Sequence, residues 1–304
     1  MTPITPNLPK GVNLNDLLIL LRKLSWGAAD ILMAYARGVQ PPYGFPSELK
    51  VEASVEGPVS AADLAVNSWL LDGLESHFPS ASWKLLSEET AKDKFDGLTF
   101  DSEWLWILDP LDGTKDFLLG TGEYAVHLAL VRDHKPVLGV VLIPELEELW
   151  LGFLGIGAWC EDRSGKRKPF SFSNRSSLND LVLVASRNHR DERLEQLIQK
   201  LPVGGQKAVG SVGCKVATIL RGEADFYISL SGKTAPKDWD MAAPEIVLRA
   251  AGGNFTHADE RLLDYNTGDL RQKGCLIASN GLNHSLLCQM TLQEMSLIDP
   301  GFLV

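Results

Sequence analysis

The chain has 304 residues, 45% of them hydrophobic and 22% charged, and a formal net charge of -10 at pH 7. That length buries a generous core in one large unit or in two that share an interface, and the composition excludes disorder and fibrous repeats. The acidic balance excludes a nucleic-acid polymer as partner, which would need a broad basic field, and no apolar run approaches the roughly 18 to 20 residues of a membrane span.

The first ten residues carry only Lys10 and no apolar stretch, so no secretory leader is expected. The spacing of Leu17, Leu21, Leu24, Ala28, Ile31 and Tyr35 predicts an amphipathic helix over 15–37, stopped by Gly38. A loop rich in proline and glycine follows, with Pro41, Pro42, Gly44 and Pro46. Ser60 opens a second helix that reaches about His77 and carries Asp63 in its first turn. A short strand over 83–86 leads into Glu88 and Glu89, and the unbroken apolar run 104–108 ends abruptly at Asp109, as a buried strand would. Residues 124–160 read as a meander of three or four strands with a turn near Asp133 and His134.

Beyond residue 175 the pattern changes. A strand is predicted over 181–186, helices over 191–201 and 212–220, and a strand over 224–230. A helix over 240–251 closed by Gly252 and Gly253, a strand over 275–279 and a C-terminal helix complete the series. Strands alternating with helices after a more antiparallel first half predict a layered α/β architecture, divided near 175–180 into segments 1–178 and 179–304. Cys160, Cys214, Cys275 and Cys288 lie far apart and form no CxxC pair. Neither a zinc site nor a disulfide framework is expected, and the cytoplasm is the expected compartment.

Five acidic residues fall where one element gives way to the next: Asp63, Glu88, Asp109, Asp112 and Asp240. Each has an ordinary structural explanation. Ser60 and Asp63 have capping-box spacing, Asp240 could cap its helix, and Asp109-Pro110-Leu111-Asp112-Gly113 could be a simple turn. The segment WILDPLDGTKDF argues for more. A buried strand there delivers two aspartates to a tight turn in which Pro110 withholds a backbone donor, leaving both carboxylates and the Leu111 carbonyl free to point one way. Hard oxygen ligands suit Mg²⁺, and crowded carboxylates without a cation would raise one another's pKa values.

With SAAD at 60–63, SEE at 87–89, WILDPLDGTKDF at 106–117, DWDMAAPE at 238–245 and AGG at 251–253, the chain resembles the inositol monophosphatase superfamily of Mg²⁺-dependent, lithium-sensitive phosphatases. Within it the likeness is to the CysQ-like 3'(2'),5'-bisphosphate nucleotidases. The resemblance implies an αβαβα sandwich of the sugar-phosphatase type, with the site between the two halves and two or three Mg²⁺ ions. Glu88, Asp109 and the Leu111 carbonyl would hold the first ion, and Asp109, Asp112 and Asp240 the second. Glu88, with Asp63 through a water, would support a third. Thr114 and Asp63 would orient and deprotonate a metal-activated water for in-line attack on phosphorus, with the Gly113 and Thr114 amides receiving the phosphate.

Lys115 after DGT is similar to the nucleotidases, as are Ser186-Arg187-Asn188-His189 and Ser211-x-Gly213-x-Lys215. Lys115, Arg187, His189, Ser211 and Lys215 are accordingly expected at the substrate, with cations at the pocket rim for a second phosphate. Their plainer reading is solvated surface charge and helix entry. The expected reaction is hydrolysis of adenosine 3',5'-bisphosphate to AMP and phosphate, a step that serves sulfur metabolism. The alternatives are an inositol monophosphatase or broad sugar-phosphate phosphatase acting also on fructose 1,6-bisphosphate, and a non-catalytic binding module on the same fold. The expected partner is a small phosphorylated substrate, with no membrane, and the protein is a monomer or a homodimer.

Overall fold

Residues 8–54, 57–91, 96–188, 190–232 and 234–302 are described by the computed structural model. Asn13 caps α1 (Leu14–Ala36), its side chain accepting from the Asn15 and Asp16 amides. The stretch read as plain loop contains a hairpin, β1 (Val51–Ser54) and β2 (Gly57–Ser60), which delivers Ser60 to the start of α2 (Ala61–His77). The first half continues through β3 (Trp83–Ser87), α3 (Glu88–Ala91), β4 (Asp96–Leu98), β5 (Trp104–Asp112) and α4 (Thr114–Leu118). The meander is four strands, β6 (Ala125–Arg132), β7 (Lys135–Ile143), β8 (Glu148–Phe153) and β9 (Gly157–Glu161), followed by β10 (Arg167–Lys168). Asp133 and His134, both at positive φ, form the two-residue turn between β6 and β7.

The second half holds β11 (Val182–Ser186), α5 (Glu192–Lys200), β12 (Gly205–Val209), α6 (Val212–Leu220) and β13 (Phe226–Leu230). It closes with α7 (Asp238–Ala250), β14 (Asn254–His257), β15 (Gly268–Asp269), β16 (Cys275–Ser279) and α8 (His284–Ile298). Helix α7 starts two residues before the predicted Asp240 because Lys237 is its N-cap and Asp240 its third residue. Strands β12 and β14 had not been expected from the sequence. The first is an exposed edge strand, GQKAV, without an apolar alternation to announce it.

Two sheets organise these elements. One runs β10-β9-β8-β7-β6-β5-β3, antiparallel except for β3 beside β5; the other runs β12-β11-β13-β16-β14. Their side chains sort into three cores. The first packs α1 and α2 on the outer face of the seven-stranded sheet, the second packs α6 and α7 between the sheets, and the third packs α5 and α8 outside the five-stranded sheet. The layers are therefore αβαβα. The expected division at 178/179 falls between β10 and β11, but α7 from the later segment lies on β6, β7 and β8 of the earlier one. All four cysteines are free and buried. Among the described residues no helix is long and apolar enough to cross a membrane.

Glycines seat α7 on the sheet. Gly139 and Gly152 pair across β7 and β8, and a Cβ at Gly152 would stand 2.6 Å from Val247 Cα, one at Gly139 2.8 Å from the Ala243 carbonyl. The helix backbone can approach this closely only where the strand carries no side chain. Gly152→Ala should lower stability by about 1 to 3 kcal/mol through overpacking, read as a drop in Tm; an unchanged Tm would show that α7 is not held at this contact.

Candidate metal centre

Strand β5 delivers the first two carboxylates. Trp104, Trp106 and Leu108 face the outer helices, while Leu105 and Ile107 face the inner ones. Both faces are buried, which is why the apolar run is unbroken until Asp109. The ladder with β6 then shifts: Asp109 stands opposite His127 and Asp112 opposite Ala125, so β5 carries one extra residue at Pro110-Leu111. Proline has no N–H to give the ladder, and the bulge re-aims its flanking side chains. The Leu111 amide donates back to Asp109 Oδ1 at 3.0 Å. Gly113, at φ 93°, then turns the chain into α4.

Asp63 and Asp240 come from helix starts, each as the third helical residue closing a capping box. Asp63 Oδ2 accepts from the Ser60 amide at 2.8 Å and the Ser60 hydroxyl at 2.6 Å. Asp240 Oδ2 accepts from the Lys237 amide at 2.5 Å. Capping and membership of the carboxylate group are thus combined in Asp240, while Asp63 lies outside that group and reaches it through its charge on Glu88. Carboxylate oxygens of Asp109, Asp112 and Asp240 lie within 4.8 Å of one another. Glu88, the first residue of α3, shares a hydrogen bond with the Asp109 carboxyl and feels the charges of Asp240 and Asp63.

Burial, and after it mutual repulsion, pushes Glu88 and Asp109 well above the usual carboxylate range. Burial and then Asp112 raise Asp240 to about 6, and burial raises Asp63 to about 6 against its bonds to Ser60. Burial raises Asp112 too, opposed by Lys215 and by the Val212 and Gly213 amides that donate to its Oδ2 at 2.6 and 3.2 Å. The donor set is oxygen only, with no sulfur or imidazole ligand in the group. It fits a hard divalent cation such as Mg²⁺, whose charge would remove the repulsion.

Thr114 Oγ1 lies 3.1 Å from Asp63 Oδ1 and 3.2 Å from the Leu111 carbonyl. Gly113, Thr114 and the exposed Lys115 line a cavity of about 920 Å³ whose wall also includes Glu88, Asp109, Leu111, Asp112 and Asp240. Lys215 lies inside this cavity rather than at its rim: it is 3% exposed, donates to the Gly210 carbonyl, and stands 5.3 Å from the Tyr227 ring centre. Arg187 is turned to Asp116 and Glu123 and does not line the cavity. Ser211 does not line it either; its Oγ caps α6, accepting from the Cys214 amide at 2.9 Å. His189 lies outside the described residues.

Several wall residues carried no signal in the sequence. Arg190, Arg193 and Lys237 line the cavity, and so does Asn188, which stood in the Ser186–His189 motif but was not singled out there. Buried Asp116 ties α4 to the end of β11 by accepting from Arg187 and from Asn188 Nδ2. His127, fully buried on β6, has Nε2 3.4 Å from Asp112 Oδ2. It passed unnoticed as one histidine in an apolar strand.

The profile of the inositol monophosphatase family matches residues 13–296. The chain is similar to the 3'(2'),5'-bisphosphate nucleotidase CysQ of Escherichia coli, 32% identical over 245 residues that make up 80% of this chain and 91% of that one. It is similar also to CysQ of Haemophilus influenzae, 28% identical over 237 residues, 78% of this chain and 86% of that one. Among solved structures, an IMPase of Thermotoga maritima superimposes with a TM-score of 0.73 at 23% identity, covering 93% of this chain and 99% of that one. The inositol monophosphatase from Anabaena (Nostoc) gives 0.69 at 26% identity, covering 93% and 97%.

With no cation bound, Asp63 and Asp240 titrate near 6, above the roughly 3.9 of an unfolded aspartate. The folded protein therefore holds extra protons between about pH 4 and 6; the associated stability is present below that window and is lost as pH rises through it. Asp109→Asn removes one crowded charge. In EDTA at pH 7.5 it should raise Tm by about 2 °C or more, with the gain shrinking toward pH 5; a Tm at or below that of the unsubstituted protein at pH 7.5 would contradict this picture of unrelieved repulsion.

Proposed function

The chain belongs to the inositol monophosphatase family and is a phosphatase, and from that premise we propose that it hydrolyses adenosine 3',5'-bisphosphate to AMP and phosphate with Mg²⁺ as cofactor. The observation that carries the chemistry is the meeting of Asp109, Asp112 and Asp240 within 4.8 Å, with Glu88 bonded to Asp109. What favours the substrate is the 32% identity to a CysQ bisphosphate nucleotidase over 91% of its length. A cavity of about 920 Å³ leaves room for far more than a phosphate, and Lys115 and Lys215 in its wall suit a second anionic group.

Glu88, Asp109 and the Leu111 carbonyl would hold one ion, and Asp109, Asp112 and Asp240 a second, with Asp63 and Glu88 supporting a third. When bound, such ions lower the pKa of water and offset charge on the phosphoryl oxygens and the leaving oxygen. The remaining work falls to the chain itself. Asp63 Oδ2 is tied to Ser60, which leaves Oδ1 beside Thr114 Oγ1. A hydroxyl has one proton; when Asp63 Oδ1 accepts it, Thr114 Oγ1 keeps its lone pairs for a hydrogen of the attacking water. Asp63 then takes the proton that leaves that water, so Thr114 orients and Asp63 acts as base. The amides of Gly113 and Thr114, at the turn into α4, would take the phosphate oxygens.

Phosphate release is to be compared for adenosine 3',5'-bisphosphate, inositol 1-phosphate and fructose 1,6-bisphosphate with Mg²⁺, with and without lithium. The first should lead on kcat/KM by at least tenfold, about 1.4 kcal/mol of barrier, and lithium should inhibit. A tenfold lead for inositol 1-phosphate would reverse the substrate assignment. Equal, negligible release by the unsubstituted protein and Asp109→Asn would instead mark a binding module.

A further inference from the structure

Strand β11 lies between two parallel neighbours, β12 and β13, so the chain leaves it on one side and returns on the other. A crevice beyond the carboxyl ends of the strands is the usual ligand position at such a reversal of strand order. The structure opens one here. The ladder between β11 and β13 pairs Leu183 with Phe226 and Val184 with Tyr227 and goes no further, although β11 continues to Ser186 and β13 to Leu230. Past the last pair, Ser186 on one strand and Ile228, Ser229 and Leu230 on the other line the cavity.

Arg193, on α5, spans this gap. On the β11 side Asp191 Oδ2 accepts from its Nε at 3.1 Å and from its Nη2 at 2.7 Å, and on the β13 side the Ser231 carbonyl accepts from Nη2 at 2.8 Å. Asp299 Oδ2, in the turn after α8, accepts from Nη1 at 2.9 Å, and the Phe302 ring centre stands 6.0 Å from the guanidinium carbon. Asp191 is itself fixed, because its other oxygen caps α5 by accepting from the Leu194 amide at 2.9 Å. The fit is close: a Cβ at Gly232 would sit 2.9 Å from Asp191 Oδ2 and 3.4 Å from Arg193 Nη2. Four of the five guanidinium N–H groups are thereby committed. A lone exposed ion pair contributes little, but a planar fork that joins three segments is a network, and a lysine could not reproduce it.

We propose that Arg193 determines substrate specificity as a clasp: by joining the separated ends of β11 and β13 it sets the width of this wall of the cavity, and Asp299 is the positioning residue that holds it from outside. The inference rests on the phosphatase reading given above. Arg193 lines the same cavity as the carboxylates, but none of its partners belongs to their cluster. The clasp therefore bears on the part of the substrate beyond the phosphate that is cleaved. A small phosphomonoester is held by its phosphate and is indifferent to the clasp. A substrate with a larger group rests that group against the wall and loses its orientation when the two strand ends are free to part; misplacement by about 1 Å can cost on the order of 100-fold.

The test compares kcat/KM for adenosine 3',5'-bisphosphate and for glycerol 2-phosphate, with Mg²⁺, in the unsubstituted protein, Arg193→Gln, Asp299→Ala and the double variant, with Tm as the check on folding. Arg193→Gln should lower the ratio of the two values by about tenfold or more, through KM for the larger substrate, and Asp299→Ala by about threefold or more. The double variant should lose no more than Arg193→Gln alone, because Asp299 acts only through that side chain. A damaged fold would instead slow both substrates alike. An unchanged ratio in either single variant, an equal loss for both substrates, or additive losses in the double variant overturns the proposal and leaves the phosphatase reading standing. If inositol 1-phosphate outruns adenosine 3',5'-bisphosphate in the unsubstituted protein, the substrate assignment falls, and the same ratio read with the inositol ester decides the clasp. Release of phosphate from none of these compounds overturns the phosphatase reading, and this proposal with it.

Discussion

Like charges crowded into a buried place must be held there against their own repulsion, and the rest of the molecule is arranged around that constraint. Three of the five carboxylates are met by the start of a helix. Asp63 and Asp240 close the first turns of α2 and α7, and Asp112 accepts two amides from the first turn of α6. A helix start presents unpaired N–H groups and roughly half a positive charge, so each of these three is partly compensated by backbone. Glu88 and Asp109 have less behind them: Asp109 accepts from the Leu111 amide, and Glu88 begins the four-residue α3. They lean on each other through a hydrogen bond, and burial and repulsion push both well above the usual carboxylate range. The centre thus divides into a supported half and a half that waits for a cation.

The layering makes that convergence possible. A carboxylate at the end of β5 and one at the start of α7 meet only if α7 crosses the sheet at the correct height, and the paired glycines of β7 and β8 set it. The middle layer belongs to both sheets at once, with Leu105 and Ile107 on one side and Tyr227, Leu276 and Ala278 on the other. Division into two independent units is therefore not how the site is built; the later segment reaches back over the earlier one to complete it.

Much of this was legible in the sequence, and the reasons are specific. The run from Trp104 to Leu108 followed by Asp-Pro-Leu-Asp-Gly announces a strand buried on both faces with two aspartates at its end, but the strand does not stop at Asp109 as read: it runs on to Asp112 through a bulge, which depends on its pairing with β6. Capping spacing at Ser60 and Asp63 fixed the start of α2. Arg187 was misplaced for a reason no single sequence reveals: its partners Asp116, in α4, and Glu123, in the loop after it, draw it away from the cavity. Lys215 was placed at the rim although it is buried, since helix periodicity does not say which face a helix shows to a cleft. His127 was hidden because strand alternation gives its face but not its neighbours. Strands β12 and β14 and the β1–β2 hairpin were missed because edge strands and short hairpins carry little apolar patterning.

One feature of the cavity bears on how such a protein changes over time. Its acidic floor comes mostly from residues 88 to 114, whereas much of its remaining wall comes from 186–194 and from the approach to α7. The acidic cluster and much of the remaining wall are thus housed in different stretches of polypeptide, so the wall can be re-tailored while most of the carboxylates stay untouched. Asp240 is the exception, because the stretch that shapes the wall also carries that carboxylate into place. An insertion before α7 must return the chain to the same anchorage at Lys237, whose amide holds the Asp240 carboxylate at the helix start.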